Sequence, residues 1–308
     1  MKNMTSVLTG ALIALSGFAA APVLAQTIAL VQYNQQALFF TEMTKGAQEA
    51  ADSVKAKLVV FDANSDPAAQ NNAIETYIQQ KVNAIVVEAI DTNGIMAAVK
   101  QAAAAGIPVI AVDAILPEGP QLAQVGVDNY KAGELIGKTF LEYVDKSMGG
   151  KANVGIVGAL NSTIQNIRQK GFEDTIAANK NVKVVGVVDG RNVQENAMSA
   201  SENLFTANPG MNAVYATGEP ALIGAVAAVN AQNMGDKIKV FGWDLTQQSI
   251  DGIDKGFVIA VVQQSPYGMG KAAVEAALTV IKGGKVDKVV GVPVTIVTKD
   301  NVDKFRSK

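Results

Sequence analysis

Histidine and cysteine are both missing from the 308 residues. Without histidine there is no Ser-His-Asp or Cys-His nucleophilic chemistry. Without either residue there is no Cys/His zinc site. The lack of cysteine also removes disulfides and any thiol for a lipid anchor. Aromatics are scarce at 6%, and Trp243 is the sole tryptophan. Neither charge sign is in great excess. The formal net charge is −2, which implies no basic surface for nucleic acid. An enzyme made from this chain would have to work with carboxylates, Lys, Tyr, Ser or Thr alone. No Pro- or Ser-rich linker, low-complexity tract or internal sequence repeat interrupts it.

Hydrophobic residues make up 49% and charged residues 18%, an ordinary globular composition. The length suits one or two domains with a large core. Residues 1–25 stand apart. Lys2 is their only charge, an apolar stretch follows, and Val23-Leu24-Ala25 precede Gln26. This is the pattern of a secretory signal peptide cleaved before Gln26. Removing Lys2 leaves 25 basic against 28 acidic residues, hence −3 for the mature chain.

From Thr27 onward, strand-like and helix-like stretches alternate. TIALVQ, KLVVFD, AIVVE, PVIAVD, ANVGIVGAL, VKVVGVVDG, MNAVYATG, KIKVFGWD, FVIAVVQQ and VPVTIVT read as strands. Between them lie amphipathic stretches such as the one with Ile74, Tyr77 and Ile78 on one face. The alternation predicts an α/β fold of parallel sheets with right-handed crossovers. Ten strands are too many for one comfortable sheet, so two lobes are expected.

Three apolar runs end in a carboxylate, at Glu88, Asp113 and Asp244. In open α/β sheets, ligands sit beyond the carboxyl ends of the strands. Acids placed there are expected to meet hydroxyl or amine donors on a bound molecule. Bland readings stand beside this one. Asp113 and Asp244 suit helix N-caps, Glu88 suits a surface loop, and Trp243 suits the core. Phe39 and Phe40 suit core packing at a helix start, or one ring in a site and one in the core.

Three motif-like segments are decoys. DANSD at 62–66 opens like a calcium loop, but Pro67 and Ala73 occupy the positions that need Gly and Glu. It reads better as a helix start with Asp66 as N-cap and Pro67 at the first position. GELIGKT at 133–139 is one residue short of a phosphate loop and reads as helix. VGALNST at 157–163 is read as a turn with Asn161, Ser162 or Thr163 as cap.

Taken in order, TIALVQYNQQALFFTEMTKGAQEAA, DANSDPAAQ, IPVIAVDA, VGVDNYKAGELIG, IRQKGF, ENLFTANP, FGWD and VVQQSPYGMG resemble periplasmic sugar-binding proteins of the ribose-binding type, the partners of ABC importers. The resemblance covers essentially the whole mature chain. It implies two doubly wound lobes joined by three hinge strands, the periplasmic binding protein type I fold. The implied lobes are residues 26–127 plus 265–292, and 128–264 plus 293–308. Crossings fall near Val127–Asp128, Gln264–Ser265 and Val292–Pro293.

Carried over position by position, the resemblance implies ligand contacts at Phe39, Phe40, Asp113, Asp244 and Gln264, with Trp243 in the aromatic slot before the second acid. Several matched positions depart from the family pattern. Glu88 and Thr217 stand where Asn is common, Asn166 and Ala114 where Arg is common, and Asn192 where an aromatic is common. The chain therefore presents three acids and no arginine at the matched positions, although Arg168 or Arg191 is near enough in sequence to reach the site.

The function implied is a non-catalytic receptor for a monosaccharide, a sugar alcohol or an amino sugar. It would act in the periplasm as a monomer, with no cofactor and no metal, and pass its ligand to an ABC transporter permease. Nucleic acid and a lipid anchor are not expected. The enzymatic alternative is a carboxylate-dependent glycoside hydrolase. A repressor on the same fold would need a helix-turn-helix where the secretion signal stands.

Overall fold

The computed structural model describes residues 26–35 and 38–306. The expected signal peptide lies outside the described residues. The chain opens with β1 (Thr27–Gln32), α1 (Leu38–Ser53), β2 (Lys57–Asp62), α2 (Pro67–Gln79), β3 (Ala84–Val87), α3 (Met96–Ala104), β4 (Val109–Val112) and β5 (Ala123–Gly126). It continues through α4 (Asn129–Ser147), β6 (Ala152–Gly158), α5 (Thr163–Ile176), β7 (Val182–Asp189), α6 (Gln194–Ala207), β8 (Ala213–Ala216) and α7 (Glu219–Ala231). Then come β9 (Lys239–Trp243), α8 (Gln247–Asp254), β10 (Val258–Gln263), α9 (Pro266–Ile281), β11 (Val289–Gly291) and β12 (Thr295–Val297).

These strands form two six-stranded sheets, ordered β11-β5-β4-β3-β1-β2 and β12-β10-β9-β8-β6-β7. The pairings are parallel except that of β10 with β12. The Val/Ile runs are buried on both faces, as parallel strands between helices must be. Ile28, Val86 and Ile110 pack on one face of the first sheet, and Val31, Ile85 and Val109 on the other. The second sheet is likewise covered on both faces, by clusters around Val214 and around Phe241.

Two strands escape the sequence pattern. β5 is four residues long and contains Gln124, and β11 is three residues long with Val289 66% exposed. Neither offers an apolar run long enough to recognise. They pair with each other at the edge of the first sheet, directly before the chain passes to the second.

Local capping follows the sequence. Asp66 accepts from Ala68 N–H at 2.8 Å with Pro67 opening α2, and Ser162 caps α5. Residues 133–139 lie within α4. The helices that follow two inter-sheet crossings are capped in the same way, α4 by Asp128 and α9 by Ser265.

Each of those helices packs against a helix of the lobe it enters, α9 on α1, which follows β1, and α4 on α5, which follows β6. Glycine makes both contacts possible. A Cβ at Gly270 would lie 1.9 Å from the Met43 carbonyl oxygen, and one at Gly171 2.2 Å from that of Tyr130. Both obstacles are backbone and cannot move aside as a side chain can. Gly270→Val is therefore expected to lower unfolding free energy by at least about 3 kcal/mol, the upper range for overpacking. Urea denaturation followed by circular dichroism measures this, and a loss below about 0.5 kcal/mol contradicts the close crossing.

Candidate functional site

The two sheets place equivalent residues at equivalent strand ends. Glu88 follows β3 as Thr217 follows β8, and Asp113 follows β4 as Asp244 follows β9. The backbone confirms the match. Asp113 N–H donates to Val125 O and Asp244 N–H to Val262 O, both at 2.8 Å. Both aspartates have φ of 60°. This left-handed conformation costs a non-glycine residue about 1 kcal/mol or more, and Asp tolerates it better than most. The turn stops each strand and carries its carboxylate off the end of the sheet. Neither aspartate caps a helix, since α8 is capped by Thr246 and no helix directly follows Asp113. The N-cap reading of both is thereby set aside.

The two acids come from different sheets yet act on each other. Burial pushes the Asp113 carboxyl up to about 6, against the pull of Arg168, and Asp244 adds to the rise. Asp244 is also raised, chiefly by burial, with Arg168 and a hydrogen bond from Gln264 opposing. Gln264 Nε2 donates to Asp244 Oδ1 at 2.9 Å. Gln264 follows β10 directly, so one hydrogen bond joins a chain crossing to a strand-end acid.

Of the two arginines near enough in sequence to reach the site, Arg168 stands beside Asp244. It projects from α5 and is only 6% exposed. Its Nε donates to Asn129 Oδ1 at 2.8 Å, and its Nη1 reaches the Thr217 carbonyl at 3.4 Å. The same Nη1 lies 4.0 Å from Asp244 Oδ2. Burial lowers its pKa, but a guanidinium stays charged throughout the accessible range. Arg191, the other candidate, is exposed on the β7–α6 connection and belongs to no ion pair among the described residues.

For Trp243 the sequence offers two readings, a ring facing a ligand and a core residue. The guanidinium carbon of Arg168 lies 3.8 Å from its ring centroid. The indole is 0% exposed, and its Nε1 donates to Tyr215 Oη at 2.8 Å. Tyr215 in turn stacks on Phe172 at 4.0 Å. A charged side chain over an aromatic face gains cation–π attraction. Trp243 is thus the floor beneath Arg168.

In the first lobe, Phe39 packs against the core, while Phe40 stacks on Tyr33 at 5.6 Å. Glu88 is 3% exposed, and its Oε2 accepts from Tyr33 N–H at 2.8 Å. In the second lobe, Thr217 Oγ1 donates to Gln165 Oε1 and Gln165 Nε2 to Asn192 Oδ1, each at 2.7 Å. Thr217 is buried, whereas Asn166 and Asn192 are exposed. The Asn166 amide is turned to the Leu160 carbonyl at 3.0 Å.

Sequence reasoning missed Asn129, Gln165 and Tyr33 altogether, and also Glu219. This acid opens α7, and its carboxyl is raised first by burial and then by Asp244. The one available signal was Arg168, a basic residue two positions past Asn166. Among the described residues no cluster of three or more metal-ligating side chains occurs. The arrangement offers carboxylate acceptors from two sheets around one buried cation, which suits hydrogen-bond capture of a small polar molecule.

A family model described as a periplasmic binding protein domain matches residues 28–285. The ribose import binding protein RbsB of Escherichia coli (strain K12) is 29% identical over 302 residues, covering 97% of this chain and 99% of that protein. An ABC transporter periplasmic solute binding protein from Actinobacillus succinogenes 130z, solved with bound D-allose, superposes with a TM-score of 0.80. It is 28% identical, with 91% of this chain and 99% of that one covered. An ABC transporter solute binding protein from Bacillus halodurans C-125, solved with bound myo-inositol, gives a TM-score of 0.76 at 25% identity, covering 91% and 96%.

The raised Asp113 pKa sets a pH test. The folded state holds this proton more tightly than the unfolded state. Its contribution to stability is therefore fully present below about pH 4 and is lost as pH rises through about 6. Asp113→Asn should make the empty protein more stable at pH 7.5, by up to about 3 kcal/mol, with the gain vanishing below pH 4. Thermal melts across that range read the difference, and equal stability at pH 7.5 contradicts the buried-charge assignment.

Proposed function

The chain belongs to the periplasmic binding protein family, and from that membership we propose that it is the receptor of an ABC importer for a neutral monosaccharide or sugar alcohol. It works in the periplasm, closes its two lobes over one ligand, and delivers that ligand to a permease. The observation that carries this reading is the convergence of Asp113 and Asp244, from opposite sheets, on the one buried guanidinium of Arg168. Hydroxyls donate to carboxylates in charge-assisted bonds, roughly twice as strong as neutral ones. The C–H face of a sugar or cyclitol packs on an aromatic ring, and Phe40 on Tyr33 offers such a ledge. D-allose and myo-inositol in the two similar structures support a polyhydroxy ligand.

The amino-sugar variant loses ground. Three acids lacking a counter-charge would favour a cationic ligand, and Arg168 supplies that counter-charge. The hydrolase alternative finds no support, since each relative reported above is a binding protein. The crossings near Val127–Asp128, Gln264–Ser265 and Val292–Pro293 are proposed as the hinge about which the lobes move.

Isothermal titration with neutral sugars, sugar alcohols and amino sugars tests the reading. At least one neutral polyol should bind one-to-one at micromolar affinity, on the order of −8 kcal/mol. Asp113→Ala and Asp244→Ala should each weaken it by about 100-fold or more, the cost of losing a buried charge-assisted contact. Silence from all three classes, or full affinity in both variants, rejects it.

A further inference from the structure

Glu88 is 3% exposed, the most buried of the strand-end acids, yet among the described residues no Lys or Arg forms an ion pair with it. Arg168, the one cation among the buried side chains of the described residues, is already engaged by Asn129, Thr217 and Asp244. The backbone under Glu88 is fixed. Its N–H donates to Val31 O at 2.9 Å. Its carbonyl accepts from Gln70 Nε2 at 2.7 Å, and Gln70 Oε1 takes the Ile90 N–H at 2.9 Å. The carboxyl itself is held by Tyr33 N–H.

The titratable and charged groups around it are few. Asp113 stands at the end of the adjacent strand β4, and Tyr33 lies on the β1–α1 connection. Arg168 and Asp244, from the other lobe, act on Asp113. Asp66, before α2, and Asp91, before α3, are exposed, the first capping α2 and the second turned to amides of its own loop. Two carboxyl groups on neighbouring strands, with one distant guanidinium already shared, do not both stay ionised at low cost.

We propose that Glu88 is a specificity-determining residue that serves as an uncharged carboxylic acid, donating its O–H to a ligand oxygen while Asp113 and Asp244 accept from ligand hydroxyls. This rests on the cleft being a polyol site. Burial, and then Asp113, hold the Glu88 carboxyl well above the usual carboxylate range, in keeping with a retained proton. The pair of roles selects an uncharged vicinal diol, whose hydroxyls both donate and accept. A ligand carboxylate would face Asp113 and Asp244, and an ammonium has no lone pair to accept the Glu88 O–H. As pH rises through the Glu88 titration the donor is lost, so affinity falls.

The test has two readouts. Infrared difference spectra of the empty protein at pH 7 should show a protonated carboxyl C=O band that disappears in Glu88→Gln. Titration with D-ribose, D-allose and myo-inositol from pH 7 to 9, above the Asp113 titration, should give a Kd that rises toward about ten-fold per pH unit, the limit for one linked proton. Glu88→Gln, which keeps an uncharged N–H donor, should flatten that dependence, and Glu88→Ala should weaken binding at every pH. A band unaffected by Glu88→Gln, or a pH-independent Kd in the unaltered protein, overturns the inference. The band present and lost in Glu88→Gln, with none of the polyols bound, overturns the reading of the cleft while keeping the protonated carboxyl.

Discussion

Buried charge governs the site. Carboxylates at the tips of parallel strands leave water at a cost of several kcal/mol each unless something answers them. Within the described residues the answer is one guanidinium, set on an indole and pinned by Asn129 and Thr217. That is enough to hold Asp244 and to moderate Asp113, but it leaves both carboxyls raised by burial. An empty site of this kind is under electrostatic strain. A hydroxyl-rich guest relieves the strain by donating to the acceptors, so the same groups that weaken the empty fold strengthen the complex.

The pseudo-symmetry of the lobes explains how the acids come to meet. Both sheets use one strand order, and both end their fourth strand, counted from β2 or β7, in an aspartate with φ of 60°. The crossing helices α4 and α9 begin with side-chain caps and seat against the next lobe through glycine contacts. Positions near those crossings carry site chemistry. Asn129 holds Arg168, and Gln264 holds Asp244. These contacts tie side chains of the site to residues beside the crossings.

Much of this was legible in the chain. A Val/Ile run is a buried strand, and a carboxylate at its end is anomalous enough to mark a site, which is why Glu88, Asp113 and Asp244 stand out before any coordinates. Asp66, Pro67 and Ser162 announce helix starts through local chemistry. What was not legible depends on tertiary approach. β5 and β11 are too short and too polar or exposed to show a pattern. Arg168 looks like any helical arginine until Asn129, Trp243 and Asp244 close around it. Trp243 beside an acid fits a ligand-facing ring and a core residue equally well, and only the guanidinium above it decides. Gln165 reads as an ordinary polar residue, though its hydrogen bond with Thr217 joins a helix to a strand end across 52 positions of sequence.

The most direct measurement is the fluorescence of Trp243 during titration with neutral sugars and polyols. The indole lies in the second lobe beneath Arg168, whereas Asp113 lies in the first. A saturable, one-to-one signal in the unaltered protein that is lost in Asp113→Ala is the expected result, because both lobes must hold the same molecule. An undiminished signal with unchanged affinity in Asp113→Ala would contradict it.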